Sequence, residues 1–151
     1  MKKISAKDIK TLRKETGAGI MEVKKALEEA KGKMKQAKAK LKKLGLEKAG
    51  KRAGKEAKEG RVYGYIHSGG RVGAMVKVMC ETDFVAKSEE FEKLCKELAM
   101  QVASMEPKTE KELLNQTYIR DKDKKVTELV EELAGKVKEK IVVAEIVRLK
   151  L

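Results

Sequence analysis

The sequence predicts an α+β protein, and three patterns carry that prediction. Apolar residues recur at helical spacing between glycine breaks in the first 45 residues, alternate with period two on both sides of a Gly69-Gly70 turn, and return to helical spacing after Ser88. The expected architecture is a small three-helix bundle over residues 1–45, a charged helical linker over 46–60 and an α+β core over 61–151. The core should hold an antiparallel sheet with helices packed on one face.

Length and composition narrow the function. A chain of 151 residues can hold one small and one medium domain. It has no run of about 18 apolar residues, and Met1-Lys2-Lys3-Ile4-Ser5 leads into a charged helix rather than an apolar signal core, so a cytoplasmic protein with no membrane partner is expected. Cys80 and Cys95 offer neither a disulfide framework nor metal spacing, and each falls on the apolar side of its element as a buried free thiol. Residues 1–60 carry 20 Lys and Arg against 8 Asp and Glu, whereas 61–151 carry 17 against 16. The basic first part suits nucleic acid, an acidic lipid surface or an acidic protein, and charge alone does not choose among them.

Taken in order, Ser5 is a good N-cap for a helix with Ile9 and Leu12 on one face, ended at Thr16-Gly17. A second helix begins after Gly19, with Ile20, Val23, Leu27 and Ala30 at core spacing before Gly32. Ile20 and Met21 point about 100° apart, so with Ile20 and Val23 inward Met21 falls at the edge or outside. The third helix carries Met34, Ala37, Leu41 and Leu44 and is expected to stop at Gly45. From Gly45 to Lys51 the spacing imitates a phosphate-binding loop, but Arg52 stands where Ser or Thr would hold magnesium, and the stretch follows a helix, not a strand. No nucleotide hydrolysis is expected there.

A hairpin follows, from residues 62–67 through Ser68-Gly69-Gly70 into 71–80. His67, the only histidine, has no evident proton partner and reads as surface or edge packing. Ser88 caps a long helix with Phe91, Leu94, Cys95, Leu98, Val102 and Met105 on its apolar face, ended by Met105-Glu106-Pro107. Thr109 and Glu112 predict a capping box for a short helix. An extended piece at 117–119, a solvated loop at 121–124, an amphipathic helix at 126–137 and a closing strand at 141–149 complete the chain.

Between the hairpin and the long helix stands Cys80-Glu81-Thr82-Asp83-Phe84-Val85-Ala86-Lys87. Strand-to-helix connections run over the surface and carry function, so the Asp83-Phe84 pair is a candidate working tip. Two readings of Phe84 stand: an aromatic presented outward as an anchor, or a core residue folded beneath the helix.

Two stretches resemble the signature segments of the bacterial elongation factor Ts family: Leu12-Arg13-Lys14-Glu15-Thr16-Gly17-Ala18-Gly19-Ile20-Met21-Glu22-Val23-Lys24-Lys25-Ala26-Leu27, and Cys80 to Lys87 as written above. Tyr65-Ile66-His67-Ser68-Gly69-Gly70-Arg71-Val72-Gly73 also looks like that family's hairpin. The resemblance implies a guanine nucleotide exchange factor for elongation factor Tu, not an enzyme in its own right and without a cofactor. It implies a ubiquitin-associated-like bundle that docks on the GTPase through Leu12, Arg13, Ile20 and Met21. It also implies that Thr82, Asp83, Phe84 and Val85 disturb the GTPase's Mg²⁺ site, which favours the exposed reading of Phe84. The chain departs from the family after Pro107, where a longer helical insertion is commonly found, and at Thr117, which stands in place of a Pro. It resembles a compact version, and its oligomeric state is left open.

The alternative reading is a basic RNA-binding protein acting through the bundle. The bundle has no aromatic to stack a base, although phosphate binding needs none, and the leading reading requires no direct nucleic-acid contact. An enzyme is disfavoured because no nucleophile with a base, no metal-ligand set and no paired carboxylates stand out.

Overall fold

The computed structural model describes residues 4–51 and 55–151. The start of the chain and residues 52–54 of the predicted linker, Arg52 included, lie outside the described residues.

The first two helices form where the local chemistry placed them, and the third runs past its expected end. Helix α1 spans Ala6–Thr16: Ser5 Oγ accepts from Asp8 N–H at 3.1 Å, and Asp8 Oδ2 accepts from Ser5 N–H at 3.2 Å. Gly17, at φ 66°, ends it by donating its N–H to the Arg13 carbonyl at 2.8 Å, a left-handed position that suits glycine. Helix α2 spans Ile20–Glu29, and Gly19 N–H donates to Glu22 Oε2 at 3.2 Å. Helix α3 spans Met34–Lys51. Leu12, Val23, Ala26, Leu27, Ala30, Ala37 and Leu41 form a buried cluster, with Ile9 and Met34 partly buried against it.

Three expectations for this region are corrected. Ile20 is 53% exposed. It is the first residue of α2 and overhangs the end of a core that begins at Val23, one turn later. Leu44 is exposed for the matching reason at the other end: it passes the last bundle layer at Leu41 and lines a cleft beside α7, Val126–Val137. Gly45 does not stop α3. A glycine inside a helix costs about 1 kcal/mol relative to Ala, which the flanking helix formers outweigh. Where α3 passes α7, a Cβ placed on Gly135 would stand 3.9 Å from Gly45 Cα, whereas one placed on Gly45 would meet nothing within 4 Å, so Gly135 is turned towards α3 but Gly45 is not turned towards α7.

The sheet has strand order β1-β2-β5, antiparallel throughout, from β1 (Glu59–Ile66), β2 (Val72–Cys80) and β5 (Val142–Lys150). The β1–β2 turn closes as His67 N–H donates to the Val72 carbonyl at 2.8 Å, with Gly69 and Gly70 at φ 85° and 67°. β1 starts inside the predicted linker. A Cβ on Gly60 would come within 2.9 Å of Met79 Cα, closer than real Cβ contacts allow.

Register decides which strand residues are covered. Tyr65 and Tyr63 pair with Ala74 and Val76, and Ile146 also pairs with Val76, so these side chains share one face. Helix α5 (Glu89–Met105) covers that face with Phe91, Leu94, Cys95, Leu98, Ala99 and Val102, all buried with Ala74, Val76, Val78 and Cys80. Val130, Leu133 and Ala134 of α7 extend the same core. Val62, Ile66, Met75, Val147 and Leu149 occupy the opposite, exposed face. A register shift beside Lys77 and Val78 leaves Ala144 of β5 without a partner, an irregularity that sequence alternation did not reveal.

Helix α6 (Glu110–Asn115) is capped by Thr109, whose hydroxyl accepts from Glu112 N–H at 3.1 Å, while the Glu112 carboxylate takes Lys108 N–H at 2.9 Å. The predicted loop at 121–124 is instead part of β4 (Asp121–Lys125), which pairs with β3 (Thr117–Tyr118). An exposed ribbon needs no apolar alternation, so its charges gave no strand signal. Gln101, fully buried, ties this ribbon to α5: its amide donates to the Gln116 side chain at 3.1 Å and the Thr117 carbonyl at 3.0 Å, and accepts from Ile119 N–H at 3.0 Å. Among the described residues no helix is long and apolar enough to cross a membrane.

Candidate functional site

The chain leaves β2 at Cys80 and makes one short helix, α4 (Asp83–Ala86), before Ser88 starts α5. Thr82 is the N-cap of α4, its hydroxyl accepting from Val85 N–H at 3.4 Å. Ser88 Oγ donates to the Val85 carbonyl at 2.8 Å and accepts from Phe91 N–H at 3.2 Å. Both ends of the turn are therefore held by side-chain hydroxyls. Ala86 is buried beneath, Val85 is half-buried, and Phe84 stands out with 82% of its surface exposed. Asp83 pairs with Lys87 at 2.8 Å, and this hydrogen-bonded ammonium holds the Asp83 carboxyl below the usual carboxylate range.

A second loop closes on this tip from behind. Helix α7 ends at Lys138, a non-glycine residue in the left-handed region (φ 59°, ψ 36°), and the reversal turns Glu139 towards the start of α4. Glu139 Oε2 accepts from Glu81 N–H and Thr82 N–H, both at 3.1 Å, and Oε1 accepts from the Thr82 hydroxyl at 2.5 Å. In return Glu81 Oε1 accepts from Lys140 N–H at 2.6 Å, while Glu81 Oε2 pairs with Lys55 at 3.2 Å. The Cys80 thiol donates to the Thr82 carbonyl at 3.2 Å; burial, and secondarily the charge of Glu139, push this thiol up to about 11.

The bundle residues divide. Arg13, Ile20 and Met21 are exposed, Met21 by 74%, whereas Leu12 is fully buried. Leu12 lies beneath that surface, on the face it shares with Val23 and Leu27 in the bundle core, and is not itself exposed as the resemblance implied. Lys136 connects the two regions: its side chain lies against Gly17, in the turn that leads to Ile20, and pairs with Glu90 in the first turn of α5 behind the tip. A cleft of about 520 Å³ between bundle and core has Leu44, Leu94, Leu129 and Leu133 among its lining residues, but none of the eight predicted site residues lines it. His67 sits on the exposed hairpin turn with Tyr65 Oη 3.0 Å from Nδ1.

Sequence reading missed Glu139 and Gln101. An isolated Glu in a loop and a Gln inside an amphipathic helix carry no local signature, since their partners lie 57 and 58 residues away for Glu139 and 15 to 18 away for Gln101.

The structure is thus an α+β scaffold that presents an exposed aromatic on a turn capped at both ends, a geometry suited to an interaction factor. Comparison with known proteins makes this specific. A family model described as "Elongation factor TS" matches residues 81–151. The chain is 42% identical to Elongation factor Ts of Moorella thermoacetica over 190 residues, covering 96% of this chain and 94% of that protein. It is 40% identical to that of Thermoanaerobacter sp. over 190 residues, covering 96% and 93%. It is 36% identical to that of Syntrophobacter fumaroxidans over 193 residues, covering 98% and 96%. The chain belongs to the elongation factor Ts family, factors of translation elongation in protein biosynthesis. An alignment of 190 positions that takes in 96% of a chain of 151 leaves about 45 positions of the relative opposite gaps, in keeping with a compact form.

Proposed function

We propose that this protein is a guanine nucleotide exchange factor for elongation factor Tu. Residues 1–45 serve as a ubiquitin-associated-like docking bundle, 46–60 as the connection and 61–151 as the core that carries the tip. Arg13, Ile20 and Met21 dock on the GTPase, and Thr82, Asp83, Phe84 and Val85 disturb its Mg²⁺ site. The observation that supports this most is the exposure of Phe84 on a turn whose backbone is otherwise hydrogen-bonded at both ends.

Bound Mg²⁺ bridges nucleotide phosphates to the GTPase, so moving the elements that hold the ion weakens nucleotide binding. By linkage, bound nucleotide weakens the factor to the same extent. Each tenfold gain in release requires about 1.4 kcal/mol off the barrier. Burying one phenyl ring supplies about 1.5–3 kcal/mol, one to two such decades, and the bundle contacts supply docking energy. No covalent step on this chain is needed, and Asp83 acts as a hydrogen-bonding or charge competitor.

The test is stopped-flow release of a fluorescent GDP from elongation factor Tu. Acceleration by substoichiometric amounts of the factor is the expected result. The basic bundle supports one other reading, RNA binding; strong salt-dependent affinity for bare RNA, indifferent to Phe84→Ala and without GDP release, would favour it.

A further inference from the structure

We propose that Glu139 is a positioning residue for exchange: it sets the aim of the Phe84 tip from an adjoining loop 57 residues beyond Thr82 in the chain. This rests on the exchange reading above. The tip's own sequence contains only half of what fixes its shape. Thr82 caps α4 through a lone pair on its hydroxyl oxygen, directed at Val85 N–H. A hydroxyl rotates freely unless its proton has an acceptor, and here that acceptor is Glu139 Oε1 at 2.5 Å. With the proton committed to Glu139, the lone pair is left facing Val85. Glu139 Oε2 also gathers the two successive backbone N–H groups of Glu81 and Thr82, at 3.1 Å each, just where the strand direction ends. One carboxylate thus takes three donors at the entry to the turn that displays Phe84.

The clasp is reciprocal and has a rigid base. Glu81 returns a carboxylate oxygen to Lys140 N–H at 2.6 Å, so each loop receives a backbone N–H from the other. Glu139 follows the left-handed reversal at Lys138, a conformation that L side chains adopt at some cost. Behind it, α7 is anchored in the core by Val130, Leu133 and Ala134, and its Lys136 touches Gly17 beside the proposed docking surface and pairs with Glu90. The same helix end therefore meets the bundle turn and holds the tip.

Three variants and two readouts test this. Glu139→Ala is expected to lower the maximal rate of GDP release at saturating factor about tenfold while leaving the factor concentration for half-maximal rate within about threefold, because docking through Arg13, Ile20 and Met21 is untouched. Glu139→Gln, which keeps an acceptor for the two N–H groups but not for the Thr82 hydroxyl proton, should recover part of the rate. In the unsubstituted free protein the Glu81 and Thr82 amides should be protected from hydrogen exchange, and Glu139→Ala should expose both while Val76 in β2 stays protected. A core variant, Val130→Ala, supplies the reference for a purely structural loss. An unchanged maximal rate in Glu139→Ala, or a loss equalled by Val130→Ala at the same melting temperature, would overturn the positioning role alone. If the unsubstituted protein released no GDP, the exchange reading itself would fail and the positioning role with it. The amide protection would still report whether the clasp exists.

Discussion

Phe84 and Phe91, the two phenylalanines of the chain, stand seven residues apart on consecutive helices and meet opposite environments: Phe84 is 82% exposed and Phe91 fully buried against the sheet. The Ser88 hydroxyl, bonded to the Val85 carbonyl and to Phe91 N–H, joins the two. Substitution should separate them. Phe84→Ala is expected to leave the melting temperature within a few degrees and sharply slow GDP release, whereas Phe91→Ala should cost about 3–5 kcal/mol of stability by urea unfolding. A large loss of stability in Phe84→Ala would make that ring part of the core.

Met21 projects from α2 with 74% of its surface open while Val23, two residues on, is fully buried. Met21→Asp should therefore weaken binding to the GTPase by about tenfold or more, measured by titration, with little change in thermal unfolding. Parallel falls in affinity and melting temperature would indicate a packing role instead.

The approach of Gly135 of α7 to the Gly45 backbone of α3 allows a graded test. At 3.9 Å from Gly45 Cα, a methyl on Gly135 makes ordinary contact, so Gly135→Ala should raise stability by up to about 1 kcal/mol through helix propensity. Gly135→Leu cannot be fitted in the same space and should lower stability by about 1–3 kcal/mol. Equal effects of both substitutions, read by denaturant unfolding, would mean that the helices do not meet there.

Burial pushes Cys95 up to about 12 and Cys80 up to about 11, both above the ordinary thiol value of 9. The folded protein thus favours the protonated thiols. That contribution to stability is fully present below pH 9 and is lost as pH rises towards 11 and 12, so the urea midpoint should fall across that window. Tyr118, also pushed up to about 12, first by burial and then by its bond to Glu97, adds to the fall at the upper end. At pH 8 neither thiol should react with a disulfide reagent in the native protein, and both should react in urea. Rapid labelling at pH 8 without urea would show that the helix and sheet part readily.

Much of this organisation was written locally. Ser5 with Asp8, Gly17 with its left-handed turn, Ser88 with Phe91 and the 126–137 helix each depend on residues a few positions apart, and all of them occur where short-range chemistry put them. The hairpin and the closing strand were legible from alternation about a glycine turn, and the outward Phe84 from the resemblance of residues 80–87. Gly45 was misread because a glycine that ends a helix and a glycine that a helix runs through look alike in sequence. Asp121–Lys125 was misread because an exposed strand needs no apolar pattern.

By itself, then, the sequence determined the class of fold, the extent of most helices and the tip on which function is proposed to rest, since periodicity and capping act over one or two turns. Only the tertiary structure decided that Leu12 lies beneath the bundle surface and Ile20 on it, that Gly135 approaches the Gly45 backbone, and that Glu139 holds Thr82 from 57 residues away. Those outcomes depend on which faces the packed elements leave open and which loops the sheet order brings together, and no local pattern encodes that.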